Sequence, residues 1–426
     1  MLVLLLVLLP TGTLSALANP TPPIVAGTET TGGLGGRVLK VTSLAAAGPG
    51  SLRAALDTTG PRVVVFEVGG VIDLDRTTLT VVHPFVTIAG ATAPDPGITL
   101  IRGGLQIATH DVAVSHLRIR PGDAGLPRGS GWEPDALCVA GADACDVRVD
   151  HCSLSWAVDE NLSVSGPRTD AVAGTARRVT LSNCIVAEGL QDATHGKGPH
   201  SKGSLIHDGC RSIAVIGNLY AHNVDRNPYF KAFCTGVIAN NLIYNPGRAA
   251  IRLNWVRSEW WGTGTKPVNP RVSVIGNLLV HGPDTRWGLA MVAGRGDAFL
   301  ADNTTWDIRG RPARITGFGL DRLRAAPAVV PGMVPVPASR VLDRVLATAG
   351  ARPAERDAID TRIVNEVRNR TGGIRNSQDE VGGYPRHPEV RRPLDPPQSP
   401  DRIAAWLEEF DLQVETGTQG VSDDED

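Results

Sequence analysis

RSIAVIGNLY at residues 211–220 is followed by TGVIANNLIY at 235–244, PRVSVIGNLLV at 270–280 and DAFLADNTTW at 297–306. On the N-terminal side, VAVSHLRIR (112–120), CDVRVDHCSL (145–154) and RRVTLSNCIV (177–186) align with the same pattern. Each string is rich in Val, Ile and Leu, stops at polar turns and lacks a 3.6-residue period, so each reads as a strand. A polar residue recurs in one register: His116, His151, Asn183, Asn218, Asn241, Asn277 and Asn303, at intervals of 35, 32, 35, 23, 36 and 26 residues. The shorter intervals suit one solenoid turn of three short strands, and the longer ones a turn carrying a loop insertion. Asparagine at a fixed turn position tolerates a left-handed backbone and can hydrogen-bond to its equivalent on the next coil. The pattern predicts an all-β protein, a parallel β-helix with coils about 4.8 Å apart.

The coils are expected between about 60 and 310. The 4% aromatic content agrees with a narrow core filled by aliphatic ladders. A β-sandwich calls for cleaner alternation and hairpin turns, and a (β/α)₈ barrel for amphipathic helices that this region lacks. GPGSLRAALD (48–57) predicts a short helix capping the open N-terminal end. VPASRVLDRVLATAGA and AERDAIDTRIVNEVRNR read as helical, and a Pro-rich strap is expected at 384–401. The expected organisation is a signal peptide at 1–18, a β-helix domain at 19–334, a covering C-terminal extension at 335–417 and an acidic tail at 418–426. MLVLLLVLLP is too short to span a bilayer and leads into an A-x-A-like cleavage site at Ala16 and Ala18, which predicts export.

Across 426 residues, 42 basic side chains meet 44 acidic ones, a net charge of -2. No global field draws in nucleic acid or anionic lipid, so an anionic partner must be met by a local patch. The expectation is a secreted monomer, extracellular or periplasmic, with neither nucleic acid nor membrane as partner. Six cysteines lie between Cys138 and Cys234 without a CxxC. An oxidising compartment would let Cys138 and Cys145 bridge a short loop, whereas Cys152 and Cys184, in matching strings, read as stacked free thiols.

Acidic residues gather in WEPDALCV (132–139) and SWAVDENLSV (155–164). Glu133 and Asp135 are two apart, which on an extended segment places both on one side, and Asp159 and Glu160 lie about one coil later. Carboxylates converging on one face repel unless a cation joins them, and an oxygen-only set favours calcium. A solvated acidic rim is the bland alternative. Lys202, Arg226 and Lys231 form a basic counterpart, so one solenoid face presents both signs, as a reader of an acidic polysaccharide would. His195, His200, His207 and His222 lie in the same stretch, and Trp255, Trp260 and Trp261 are candidates for stacking on sugar faces or for loop packing.

VRVDHCSLSWAVDENLSV (147–164), PHSKGSLIHDG (199–209) and NVDRNPYFKAFCTGVIANNLIYN (223–245) resemble the pectate lyase superfamily, in particular the family-1 polysaccharide lyases. The likeness spans roughly 30–320, and the terminal pieces resemble the extension of secreted bacterial members. It implies a right-handed parallel β-helix with calcium held by Glu133, Asp135 and Asp159; Glu160, adjacent to Asp159, is a candidate to replace the carboxylate lost at Ser163. The likeness also implies Lys202 and Arg226 as catalytic residues, Arg226 being the base, with Lys231 as a substrate contact. His200 and Trp255 are further candidates for substrate contact, from their place in the same stretch and from the stacking that an indole offers a sugar face. Ser163 stands where that family has its last calcium aspartate, and Lys231 where its second arginine stands. The implied activity is calcium-assisted β-elimination on polygalacturonate or a related 4-linked uronan. A noncatalytic polysaccharide-binding β-helix and a polysaccharide hydrolase stay open beside it.

Overall fold

A computed structural model of the protein describes residues 23–170 and 173–418. The expected signal peptide, and the expected tail beyond Thr418, lie outside the described residues. Among the described residues the chain winds as a right-handed β-helix of three sheets. The first has eleven strands, from Arg37–Val41 to Leu320–Arg322; the second has ten; the third has eight, from Leu79–Val81 to Val292–Ala293. Neighbouring strands are parallel, except that Val390–Arg391 adds antiparallel to the edge of the second sheet. Parallel neighbours follow from the connections, because each strand returns to its sheet only after a full coil.

The core is a set of aliphatic columns. In the first sheet Ile88, Val114, Val149, Leu181, Val215, Ile238, Val274 and Leu300 stand in successive register, and all but Leu300 are fully buried. Asn241 Oδ1 accepts both the backbone N–H (2.9 Å) and the side-chain amide (3.0 Å) of Asn218. Asn277 serves Asn241 in the same way, and Asn303 serves Asn277.

The expected register of this ladder is corrected by one residue at its N-terminal end. The left-handed position is held by His116, His151, Asn183, Gly217, Asn240, Gly276 and Asp302, with φ between 45° and 67°. The ladder position is the next residue: Cys152, Cys184, Asn218, Asn241, Asn277 and Asn303. There the Cys184 N–H donates to Asn218 Oδ1 at 2.8 Å, and the Cys152 N–H to Cys184 Sγ at 3.4 Å. Two adjacent positions thus divide the roles that one asparagine was expected to fill. Cys152 and Cys184 are stacked free thiols, and Cys138 and Cys145 are also free.

Helix α1, Leu52–Leu56, closes the N-terminal end, with the Ser51 hydroxyl accepting from the Ala54 N–H. Helices α2 (Ala338–Thr348) and α3 (Ala358–Asn369) lie on the second sheet, where Val341, Val345, Ile363 and Val367 pack against Trp156, Ile185, Leu219 and Leu242. Arg120, fully buried beneath α3, bonds Asp357 and Asp360. A fourth helix, α4 (Pro400–Thr416), was not expected from the Pro-rich text before it. Pro400 stands in its first turn, where a missing N–H costs nothing. Ile403 and Leu407 of α4 bury Val63 and Val65 of the first sheet. With two sheets covered by these segments, the third carries the charged groups described next. Among the described residues, no helix is long and apolar enough to cross a membrane.

Candidate active site

Three successive strands of the third sheet, Leu137–Ala140, Glu160–Ser165 and Lys202–Ile206, bring the predicted residues together. Glu160 pairs in register with Lys202, and Lys202 bridges to Asp225 on the following coil. Arg226 follows in the left-handed region, φ 65°. Close approach of these two coils depends on Gly203, where a Cβ would lie 2.4 Å from the Arg226 carbonyl oxygen.

Asp135, Asp159 and Glu160 each offer a carboxylate oxygen to one group, all within 4.8 Å of one another. Asp135 is held on both oxygens, by the Glu160 N–H at 2.9 Å and by the Ser163 hydroxyl. Ser163 therefore donates a hydrogen bond where a fourth carboxylate would add repulsion. Burial, reinforced by the Asp159 charge, pushes the Asp135 carboxyl up to about 7 against the hydrogen bonds from Ser163 and Cys138. Burial also acts to raise Asp159, but the His200 hydrogen bond and charge prevail and leave it below the usual range. An all-oxygen set of crowded carboxylates fits a hard divalent cation such as calcium.

The expected fourth ligand, Glu133, is elsewhere. Residues 132–136 form no strand, so two-residue alternation does not apply to Glu133 and Asp135. Glu133 Oε1 instead accepts the Gly196 N–H at 2.8 Å and lies 3.4 Å from His195 Nδ1. His200 Nε2 meets Asp159 Oδ1 at 2.8 Å, and its ring stacks on His195 with centroids 3.8 Å apart.

The two expected catalytic cations differ in their partners. Arg226 forms an ion pair with Glu160. Burial lowers its guanidinium from the ordinary value, against the nearby Asp159. Lys202 is 6% exposed and, among the described residues, has no carboxylate within ion-pair distance. Burial lowers its ammonium too, with Arg248 and Arg252 adding to the effect and Asp225 opposing it. Asp225, which the sequence reading did not single out, is the organiser here. Its buried carboxylate accepts the Arg226 N–H and binds Arg248 (2.7 Å) and Arg252 (3.0 Å). The only signal for it in the sequence is adjacency to Arg226.

Lys231 and Trp255 are engaged away from this group. The Lys231 ammonium is buried between Asp208, at 3.0 Å, and Glu259, at 2.5 Å, with Arg168 bound to the same two carboxylates. The Trp255 indole donates to Asn269 Oδ1, and the Arg295 guanidinium covers its ring at 5.2 Å. Beyond Arg252 the cleft opens into a groove of about 640 Å³ lined by Arg248, Arg252, Arg286, Arg314, Trp287 and Phe318. Trp287 and Phe318 are almost fully exposed.

Over 374 residues the chain is 33% identical to a probable pectate lyase C of Aspergillus flavus, covering 84% of this chain and 79% of that protein. The chain belongs to the pectate lyase superfamily. Similar proteins in Aspergillus fumigatus, also described as probable pectate lyase C, are 32% identical over 378 residues, with the same shares covered. No family model matches the chain. Among solved structures, a mutant pectate lyase of Bacillus subtilis superposes with a TM-score of 0.53 at 12% identity, covering 76% of this chain and 94% of that one. The major cedar pollen allergen jun a 1 gives 0.51 at 17% identity, covering 75% and 91%. At such identities these structures speak for the fold. The sequence relatives are fungal, so this pectate lyase likeness is not specifically bacterial.

Proposed function

We propose that the chain is a secreted lyase that cleaves polygalacturonate or a related 4-linked uronan by calcium-assisted β-elimination. The observation that carries this reading is the unpaired, nearly buried Lys202 ammonium, one strand from the Asp135–Asp159–Glu160 group and one coil from Arg226. A uronate carboxylate is the substrate group that such a cation meets at low cost, since a buried charge gains most from an opposite partner. Asp135, Asp159 and Glu160 would hold calcium, which when bound supplies further positive charge toward the sugar carboxylate.

Lys202 neutralises the carboxylate at C6 and so acidifies the C5 proton. Arg226 takes that proton, the C5–H electrons form the C4–C5 double bond, and the C4–O bond breaks, with water protonating the departing oxygen. A guanidinium is a weak base. Burial lowers its pKa in the direction the role needs, whereas the Glu160 ion pair opposes it, so the role requires that pair to part. The arginine-lined groove favours a polyanionic chain over methylated pectin, whose ester carries no charge.

The test is single-turnover appearance of ultraviolet-absorbing unsaturated product at saturating calcium. Arg226→Lys should slow it by about 10²–10⁴-fold, the usual worth of a positioned base, with fold and polyuronate binding kept. Full rates in this variant, or in wild type under strong chelator, overturn the respective roles. One observation favours a hydrolase instead: Asp135, Asp159 and Glu160 bring carboxylate oxygens within 4.8 Å of one another, and glycoside hydrolysis uses paired carboxyl groups. Chain cleavage without any ultraviolet-absorbing product would select that reading.

A further inference from the structure

His195 is 1% exposed, and its Nε2 is buried without a hydrogen-bond partner. A buried polar nitrogen left unbonded is costly, and in a native protein it calls for an explanation, a bound ion being one. This nitrogen faces Asp159 Oδ1 at 3.9 Å, the same oxygen that His200 Nε2 meets at 2.8 Å. His195, His200 and Asp159 each offer a ligand atom within 4.8 Å of the others.

We infer that Asp159, His195 and His200 form a second metal position, suited to a borderline divalent transition ion such as Zn²⁺ or Co²⁺ and adjoining the all-oxygen group through the shared Asp159. The donor chemistry separates the two positions. Calcium takes oxygen ligands, whereas imidazole nitrogens suit zinc and its neighbours in the first transition row. The spacing agrees. Ligands of a tetrahedral ion with bonds of about 2.0–2.1 Å stand about 3.3 Å apart, and the two measured separations, 2.8 and 3.9 Å, bracket that distance. The rings stack 26° from parallel, so both Nε2 lone pairs meet one ion only after one ring, that of the partly exposed His200, turns about its Cβ–Cγ bond.

Glu133 takes the place of the supporting carboxylate behind a ligating histidine. Its Oε1 is anchored by the Gly196 N–H and lies 3.4 Å from His195 Nδ1. At present that nitrogen accepts the Lys197 N–H at 3.0 Å. With an ion on Nε2 the ring proton resides on Nδ1 and turns to Glu133, while the N–H of exposed Lys197 turns to water. Such an ion would tie the 195–200 segment to the lead-in of the acidic strands, across Asp159.

The test uses the spectrum of bound Co²⁺ and does not rest on the lyase reading. Full-length protein, saturated with calcium, is titrated with Co²⁺ and the visible absorption recorded. A 1:1 ligand-field band of a low-coordinate site is expected, lost in His195→Gln and in His200→Gln. Glu133→Gln, at a partly exposed position, should keep the fold and weaken Co²⁺ by about 10–100-fold, the usual effect of removing a supporting carboxylate. No band in the wild type, or an unchanged band in the folded histidine variants, overturns the inference. Because no substrate is present, loss of the lyase reading leaves this result untouched, and the converse also holds.

Discussion

At the scale of single residues, burial and pairing separate side chains that look alike in the sequence. Lys202 and Lys231 are both nearly buried lysines beside the third sheet, yet only Lys231 is bonded to carboxylates. Lys231→Met should therefore act on stability. Breaking one partner of a buried pair costs about 3–5 kcal/mol, so denaturant unfolding should shift strongly while KM for polyuronate changes little. A large KM effect in a stable variant would return Lys231 to the substrate. Asn241 makes the same kind of argument in the core. Asn241→Ala strands the backbone and amide N–H groups of Asn218, and each stranded buried donor costs about 1–3 kcal/mol. Equilibrium unfolding should report a loss of about 2–4 kcal/mol, and a loss under 0.5 kcal/mol, the size of an ordinary surface change, would remove the ladder from the account of stability.

At the scale of elements, α4 docks through a cluster of titrating groups. Asp411 and Glu415 of α4 face His116, His151 and Asp150 of the coils, with Arg148 nearby. Burial, then the charges of Glu415 and Asp150, push the Asp411 carboxyl up to about 7. A carboxyl raised on folding favours the folded state while protonated, so this contribution is present at low pH and is lost as pH rises through about 7. His151 has the same sign. Burial acts to lower it, but Asp150 and Glu415 leave it raised, and its contribution, present below the ordinary histidine value, also fades as pH rises. His116 is lowered by burial and acts in the opposite sense. Asp411→Asn removes the ionisation outright. It should raise the Tm relative to wild type at pH 8 and make little difference below about pH 4, the unfolded carboxyl's value, with an intermediate effect between; an equal shift at both values would show that charge is not the cause.

At the scale of the whole molecule, the coils need their covers. The first sheet's Val63 and Val65, fully buried, face Ile403 and Leu407 of α4. Ending the chain after Gln398 exposes that apolar strip. The shortened protein should melt at a lower temperature and bind a hydrophobic dye, because apolar burial is lost without any compensating contact. Lys202 lies on the third sheet and Arg226 in the connection beside it, away from α4, so product formation should persist below the new melting point. Loss of activity in a still-folded truncation would show that α4 supports the site as well as the fold.

The sequence by itself determined the coil architecture, α1 to α3 and the neighbourhood of the site. Strand strings, the recurring Asn and His positions and the GPGSLRAALD string are local signals, readable because each depends on residues a few positions apart. The resemblance to pectate lyases named Asp135, Asp159, Lys202 and Arg226, and in the structure Glu160, next to Asp159, pairs in register with Lys202. What only the tertiary structure decided is which charges are paired. Glu133 goes to His195, Glu160 to Arg226, Lys231 to Asp208 and Glu259, and Lys202 has no carboxylate partner among the described residues. These partners lie 23 to 66 residues apart, and ion pairs form or fail over a few ångströms. The lengths of the loop insertions between coils set those ångströms, and no periodicity in the sequence encodes them.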